Sequence, residues 1–245
     1  MKNKIEEFET QKKRRINKIV KDKKLEKLSN QWMRSAFKYN YQYNFNWLGI
    51  PIIRLPSDIV VFQEVVYSIK PDLIIETGVA HGGSLILSAS LINLLNNNGE
   101  VVGVDVDIRK HNKKRLEKHP LYKLITLYEG DSCDKKIIDK ISKHVKKRKK
   151  ILVVLDSNHT HSHVLNELNL YSKFISKNSY IILPDTFIEK FPKNYFSNRD
   201  WDKGNNPYTA ALEFLKKNKD FAIDKSINSK TLITESFDGY IKKIK

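Results

Sequence analysis

Four short apolar runs in this 245-residue chain end at or beside an acid: "LIIE" at Glu76, "VVGVD" at Asp105, "ILVVLD" at Asp156 and "YIILPD" at Asp185. Asp156 is followed by "SNHTHSH", which sets His159, His161 and His163 within seven residues. Carboxylates and imidazoles at that density are the groups that hold a divalent cation or move a proton. Two glycine turns accompany them: "ETGVAHGGS", with Gly78, Gly82, Gly83 and Ser84, and "EGDS", with Gly130, Asp131 and Ser132. Glycine permits a tight turn and close approach of backbone to a ligand, and a helix starting there turns its N-terminus toward that ligand.

The elements that must position these groups follow from periodicity. Apolar, β-branched runs at 73–76, 101–105, 124–128, 151–156 and 180–183 alternate with helix-length stretches. That pattern predicts a parallel sheet covered on both faces, whose ligands lie outside the carboxyl ends of the strands. Two more strands, expected near 221–224 and 231–235, complete a mostly parallel seven-stranded sheet. Ser57 and Asp58 are read as the N-cap of a helix over "IVVFQEVVYSIK" that stops before Pro71, and "PYTAALEFLKKNK" as a later helix. Residues 1–57 are expected to form a helical extension ending in an ordered aromatic loop. Residues 58–245 form one α/β domain, with a lid-like segment at about 187–206.

The glycine turn is compatible with several cofactors, and its neighbours narrow them. It is not a G-x-G-x-x-G fingerprint, and Glu76 would repel a pyrophosphate while accepting a cationic amino-acid group. Asp105 at the end of the second strand suits ribose hydroxyls, and the Gly130-Asp131-Ser132 turn suits an adenine. S-adenosylmethionine is therefore favoured over a dinucleotide. Asp156 and Asp185 on neighbouring strand ends suit Mg²⁺, while the three histidines keep zinc open. A cation beside a substrate hydroxyl acidifies it, with His159 as the preferred proton acceptor and His163 second.

Charge excludes less than it suggests. Lys and Arg exceed Asp and Glu by 45 to 28, a net +17, concentrated at residues 2–27 and at "KKRKK", 146–150. Such a surface attracts nucleic acid or anionic lipid headgroups. Without zinc-finger spacing or interleaved aromatics, nucleic acid is disfavoured and peripheral membrane contact stays open. No run approaches the roughly 18 apolar residues of a membrane span, and the start lacks a signal-like segment, so a cytoplasmic protein is expected. A single cysteine, Cys133, excludes an internal disulfide and does not suggest a thiolate metal site.

Taken in order, "ETGVAHGGS", "GVDVDIR", "EGDS", "VVLDSNHTHSHV", "DT" and "KGNNPYTAALEFL" resemble the cephalosporin hydroxylase family, also described as rhamnosyl O-methyltransferase-like, over roughly residues 41–243. The resemblance implies a Rossmann-like class I methyltransferase using S-adenosylmethionine, often with Mg²⁺. Its acceptors are hydroxyls of antibiotics, sugars or glycolipids, and homo-oligomers occur. It places Glu76, Gly78, Gly82, Gly83 and Ser84 at the methionine portion, Asp105 at the ribose, and Gly130, Asp131 and Ser132 at the adenine. Asp156 and Asp185 match metal-ligand positions, and His159 and His163 match histidines near the reaction centre. In the lid, the phenylalanines, Tyr195 and Trp201 would stack on a sugar, with Lys203, Asn205 and Asn206 at its hydroxyls. Two positions depart from the family pattern. Pro184 stands where an acid is common, and His81, which lacks arginine's permanent charge, stands where arginine is frequent. A non-catalytic cofactor-binding protein and a nucleic-acid methyltransferase are the competing readings.

Overall fold

The computed structural model describes residues 3–245. Two charged helices, α1 (Lys4–Lys21) and α2 (Lys23–Phe37), open the chain. α1 buries none of its side chains, whereas α2 is anchored by Met33, fully buried with Leu55, Phe187 and Phe191. The aromatic loop contains a small antiparallel hairpin, β1 (Phe45–Trp47) and β2 (Ile50–Ile52), absent from the expected elements. Its strands have only three residues each, too short for alternation to show.

The next helix, α3 (Pro56–Ile69), begins one residue before the expected cap. Proline at the first helical position supplies the start, and Leu55 stands at the N-cap with no side-chain bond. Asp58 is buried instead, accepting from Thr234 Oγ1 and from Glu235 N at 2.9 Å. As expected, the helix stops before Pro71.

From there strands and helices alternate: β3 (Leu73–Thr77), α4 (Gly83–Leu95), β4 (Glu100–Asp105), α5 (Lys110–Glu117), β5 (Ile125–Glu129), α6 (Lys135–Val145), β6 (Ile151–Leu155), α7 (His161–Tyr171) and β7 (Tyr180–Ile182). The chain closes with α8 (Pro207–Lys217), β8 (Phe221–Ile223), α9 (Lys225–Asn228) and β9 (Tyr240–Lys243). The seven-stranded sheet has the order β5-β4-β3-β6-β7-β9-β8, and only β9 runs antiparallel to its neighbours. The fold is a Rossmann-like α/β sheet with helices on both faces and helices added at the N-terminus.

The final strand lies beyond the expected 231–235. Residues 231–235 are irregular because their polar groups serve the interior. Thr234 and Glu235 bind Asp58, and the Glu235 carbonyl accepts from Phe187 N at 3.1 Å. The pairing falls to Tyr240–Lys243, which seats Ile241 opposite Ile181.

Strand alternation divides the core between the two faces. Ile74, Val101, Leu152 and Ile182 pack under α3 and α4 with Phe62, Val66 and Leu85. Leu73, Ile75, Val102, Val153 and Ile181 pack under α6, α7 and α8 with Ile141, Leu168 and Phe214. Every residue of β3 is buried, so Glu76 enters the interior because its neighbours do.

Candidate active site

Adjacent strands in register bring their C-terminal ends to one rim. β3 lies between β4 and β6, with Thr77 paired to Val104 on one side and Leu155 on the other. Asp105 and Asp156 therefore emerge beside the turn that starts at Gly78. A cavity of about 250 Å³ sits there, lined by Glu76, Gly78, Gly82, Gly83, Ser84, Asp105, Asp156, His159, Pro184 and Asp185. Gln42, Tyr43, Pro51 and Ile53 of the aromatic segment close its other side.

The turn is glycine-bearing because its neighbours leave no room. Gly78 has φ +86°, and a Cβ there would stand 2.0 Å from the Asp156 carbonyl oxygen. A Cβ on Gly83 would lie 2.2 Å from the Pro51 carbonyl oxygen, so the β1-β2 hairpin rests directly on the first turn of α4. Asp105 binds the turn itself: Oδ2 accepts from Val79 N at 2.7 Å and Ala80 N at 3.3 Å.

The electrostatic centre is Arg54, a residue that strand-end reasoning misses. Only 5% exposed, it donates from Nη2 to Asp156 Oδ2 at 3.2 Å and from Nη1 to Glu235 Oε1 at 3.1 Å. Its Nη2 also lies 3.7 Å from Glu76 Oε1, which takes the Ser84 hydroxyl. Burial opposes the charge on Arg54, but Asp156, Glu235 and Glu76 outweigh it and hold the guanidinium protonated. The acids outnumber their counter-ion. Burial pushes Glu76 up to about 8, with Arg54 opposing and Asp156 adding to the shift. Burial likewise raises Asp156 and Glu235, each against the pull of Arg54. A buried group of acids short of positive charge either binds protons or binds a cation.

Beside this network Asp156, His159 and Asp185 offer one ligand atom each, all within 4.8 Å of one another. His159 Nε2 lies 3.1 Å from Asp185 Oδ2, and the ring meets Trp201 edge-on at 4.8 Å. Two carboxylates and an imidazole, next to acids raised chiefly by burial, fit a divalent cation. Pro184 lines the cavity and offers no side-chain ligand.

A second cavity of about 330 Å³ shares Gly78, Asp105 and Ser157 with the first and continues to Gly130, Asp131, Ser132 and His163. The sequence-derived residues thus fall into two joined compartments. His163 stands in the second, away from Asp185, with Nε2 at 3.2 Å from Ser132 Oγ and 3.1 Å from Ser157 Oγ. His161 belongs to neither: it contacts Thr209 Oγ1 at 2.8 Å and Glu213 Oε2 at 3.1 Å, joining α7 to α8.

The family model described as rhamnosyl O-methyltransferase/CmcI matches residues 39–244. The chain belongs to this family. It is similar to the rhamnosyl O-methyltransferase of Mycobacterium bovis, 29% identical over 147 residues, or 60% of this chain. The matched part spans 58% of the length of that relative. The Mycobacterium leprae rhamnosyl O-methyltransferase is 26% identical over 66% of this chain and 68% of its own. Among solved structures, apo CmcI superposes with a TM-score of 0.60 at 19% identity, covering 83% of this chain and 77% of that one. A CmcI structure described with Mg and SAM gives 0.58 at 19% identity, over 83% and 78%.

Within this family fold, the segment expected to act as a lid is partly core. Phe187 and Phe191 are buried with Met33 and Leu55 and are not available to a sugar. Asn206 is buried as the N-cap of α8, and Asn205 Oδ1 accepts from His161 N at 2.9 Å. Of the expected aromatics, Trp201 sets its ring against His159, a residue of the first cavity. Arg54 left one signal in the sequence, a charge inside the apolar string "IIRLP", whereas Glu235, flanked by Thr234 and Ser236, left none.

Proposed function

We propose that the chain is an S-adenosylmethionine-dependent O-methyltransferase that acts, with a divalent cation, on a hydroxyl of a sugar, glycolipid or other polar small molecule. The observation that carries this reading is the cation-deficient acid group, Glu76, Asp156 and Glu235 around one arginine, at the rim that also holds the glycine turn. Sulfonium, ammonium and metal charges all meet that demand.

In this reading the two compartments are one cofactor groove. Glu76, Gly78, Gly82, Gly83 and Ser84 hold the amino-acid end, the N-terminus of α4 faces its carboxylate, and Asp105 faces the ribose. Gly130, Asp131 and Ser132 face the adenine. A cation held by Asp156 and Asp185 supplies Lewis-acid acidification of the acceptor hydroxyl. His159, oriented by Asp185, takes the hydroxyl proton. S-adenosylmethionine held by these residues would supply the methyl group to the acceptor oxygen and leave as the neutral thioether, while His159 would keep the hydroxyl proton. Trp201 beside His159 gives a sugar ring an apolar face. Residues 1–57 act as an extension to a domain at 58–245, and 187–206 covers the acceptor side.

Homo-oligomerisation and a cytoplasmic location belong to the same reading. No helix among the described residues is long and apolar enough to cross a membrane. The basic surface leaves peripheral contact with anionic lipid compatible with a glycolipid acceptor.

The test is methyl transfer from isotopically labelled S-adenosylmethionine to a panel of rhamnosides and other glycosides, with and without Mg²⁺, and in parallel to RNA. Labelled methoxy groups on a glycoside, dependent on Mg²⁺, support the proposal. Label on RNA, or cofactor binding without transfer to any acceptor of the panel, favours a competing reading.

A further inference from the structure

We propose that Tyr43 binds the methyl acceptor and decides which hydroxyl of a polyol is methylated: its phenol donates to the acceptor oxygen next to the reacting one. This role rests on the methyltransferase reading of the first cavity. Tyr43 lines that cavity together with Asp156, His159 and Asp185. The side chain is 50% exposed. Tyr43 N donates to the Asn40 carbonyl at 2.9 Å, and among the described residues its hydroxyl has no partner.

The chain around Tyr43 is held on both sides. It ends a single 3₁₀ turn, Tyr41–Tyr43, entered through Asn40 in the left-handed region at φ +49°. Tyr41 anchors the turn, meeting Trp32 edge-on at 5.2 Å and Phe45 edge-on at 5.3 Å. The Gln42 carbonyl accepts from Arg54 N at 3.2 Å, and the Arg54 side chain binds Asp156. One arginine therefore ties the turn to a carboxylate of the candidate metal group. With the backbone fixed, only two torsions place the phenol, so little entropy is lost when it binds.

A second observation comes from the neighbouring residue. Gln42 lines the same cavity, and its buried Oε1 has no hydrogen-bond partner. Two adjacent polar side chains on this wall thus lack partners within the protein, a demand that a ligand with several hydroxyls meets and an apolar one does not. Burial raises the Tyr43 phenol, with Asp185 and Asp156 adding to the shift and Arg199 opposing it. The hydroxyl keeps its proton beside those carboxylates and acts as a donor, which leaves proton acceptance to His159. Arg199 in turn lies over the Trp201 ring at 5.3 Å. The aromatic segment supplies a hydroxyl to the acceptor, and the later segment supplies an apolar face.

The probe is a panel of glycosides with adjacent free hydroxyls, rhamnosides first, methylated by the full-length protein from labelled S-adenosylmethionine with Mg²⁺. The methylated position is read by nuclear magnetic resonance. In Tyr43→Phe, which keeps the ring, KM for the glycoside should rise about 3–10-fold, the cost of one lost hydrogen bond. A second positional isomer should appear in the product. Affinity for S-adenosylmethionine and for Mg²⁺ should stay at the wild-type values, as should the melting temperature. Wild-type KM and a single positional isomer in Tyr43→Phe overturn the assignment. So does a fall in S-adenosylmethionine affinity that matches the rise in KM, which would put Tyr43 at the cofactor. Wild-type protein that binds S-adenosylmethionine and methylates no glycoside sinks the sugar reading, and the role of Tyr43 with it.

Discussion

The Arg54 guanidinium donates from Nη2 to Asp156 Oδ2 at 3.2 Å, and this bond couples the aromatic segment to the end of β6. The same side chain reaches Glu235 near the C-terminus. Three distant parts of the chain therefore meet on one cation. Removing one partner of a buried ion pair costs about 3–5 kcal/mol because the others stay buried and unpaired. Arg54→Met should lower the melting temperature by roughly 6–20 °C at that cost for a domain of this size. Scanning calorimetry checks it, and an unchanged melting temperature contradicts the central role of Arg54.

His159 tests the division of labour in the first cavity, since it lies among possible metal ligands and beside Asp185. As the proton acceptor, its loss in His159→Asn should slow methyl transfer by about 10²–10⁴-fold. Mg²⁺ affinity should be retained. Transfer rates and Mg²⁺ titrations on the same variant decide this. Lost Mg²⁺ affinity would make His159 a ligand instead.

Glu76 gives the protein a stability that declines with pH. Its folded-state value is pushed up to about 8 from an ordinary 4.5, chiefly by burial. Between those values the folded chain holds a proton that the unfolded chain has lost. The stabilisation is complete below about 4.5 and is lost as pH rises through about 8. Asp156 and Asp58 are raised to about 6, so the span between about pH 6 and about pH 8 carries Glu76 together with His163, which its hydrogen bond to Glu167 also raises. The ligand-free protein should lose melting temperature across that span. Glu76→Gln should flatten the slope, and an equal slope in both proteins would contradict the assignment.

Gly83→Ala probes the contact between hairpin and turn. Its Cβ would meet the Pro51 carbonyl oxygen at 2.2 Å and Ile52 Cα at 2.7 Å, both backbone. Overpacking of this kind costs about 1–3 kcal/mol. The displaced hairpin should also weaken cofactor binding, because Pro51 lines the cavity. Scanning calorimetry measures the first effect and calorimetric titration with S-adenosylmethionine the second, and wild-type affinity in the variant would sever the hairpin from the site.

Much of this arrangement was legible in the residues. Runs such as "LIIE" and "ILVVLD" are apolar on both faces, which only a doubly covered strand satisfies, so the parallel core and the rim holding Asp105 and Asp156 followed. The hairpin and the last strand did not, because a three-residue strand has no period and "YIKK" carries as much charge as a loop. Asp58 looked like a cap because caps and buried acids use the same residue types. What separates them is the partner, here Thr234 and Glu235, 176 and 177 positions away. Arg54 was hidden for the same reason: its role exists only where three remote acids converge.

The most direct measurement is calorimetric titration of the wild type and Asp156→Asn with S-adenosylmethionine and with Mg²⁺. Micromolar cofactor affinity in both proteins is the predicted result, with Mg²⁺ binding lost in the variant alone. A folded wild-type sample that shows no heat with millimolar S-adenosylmethionine would contradict the assignment of this rim as a sulfonium-cofactor site.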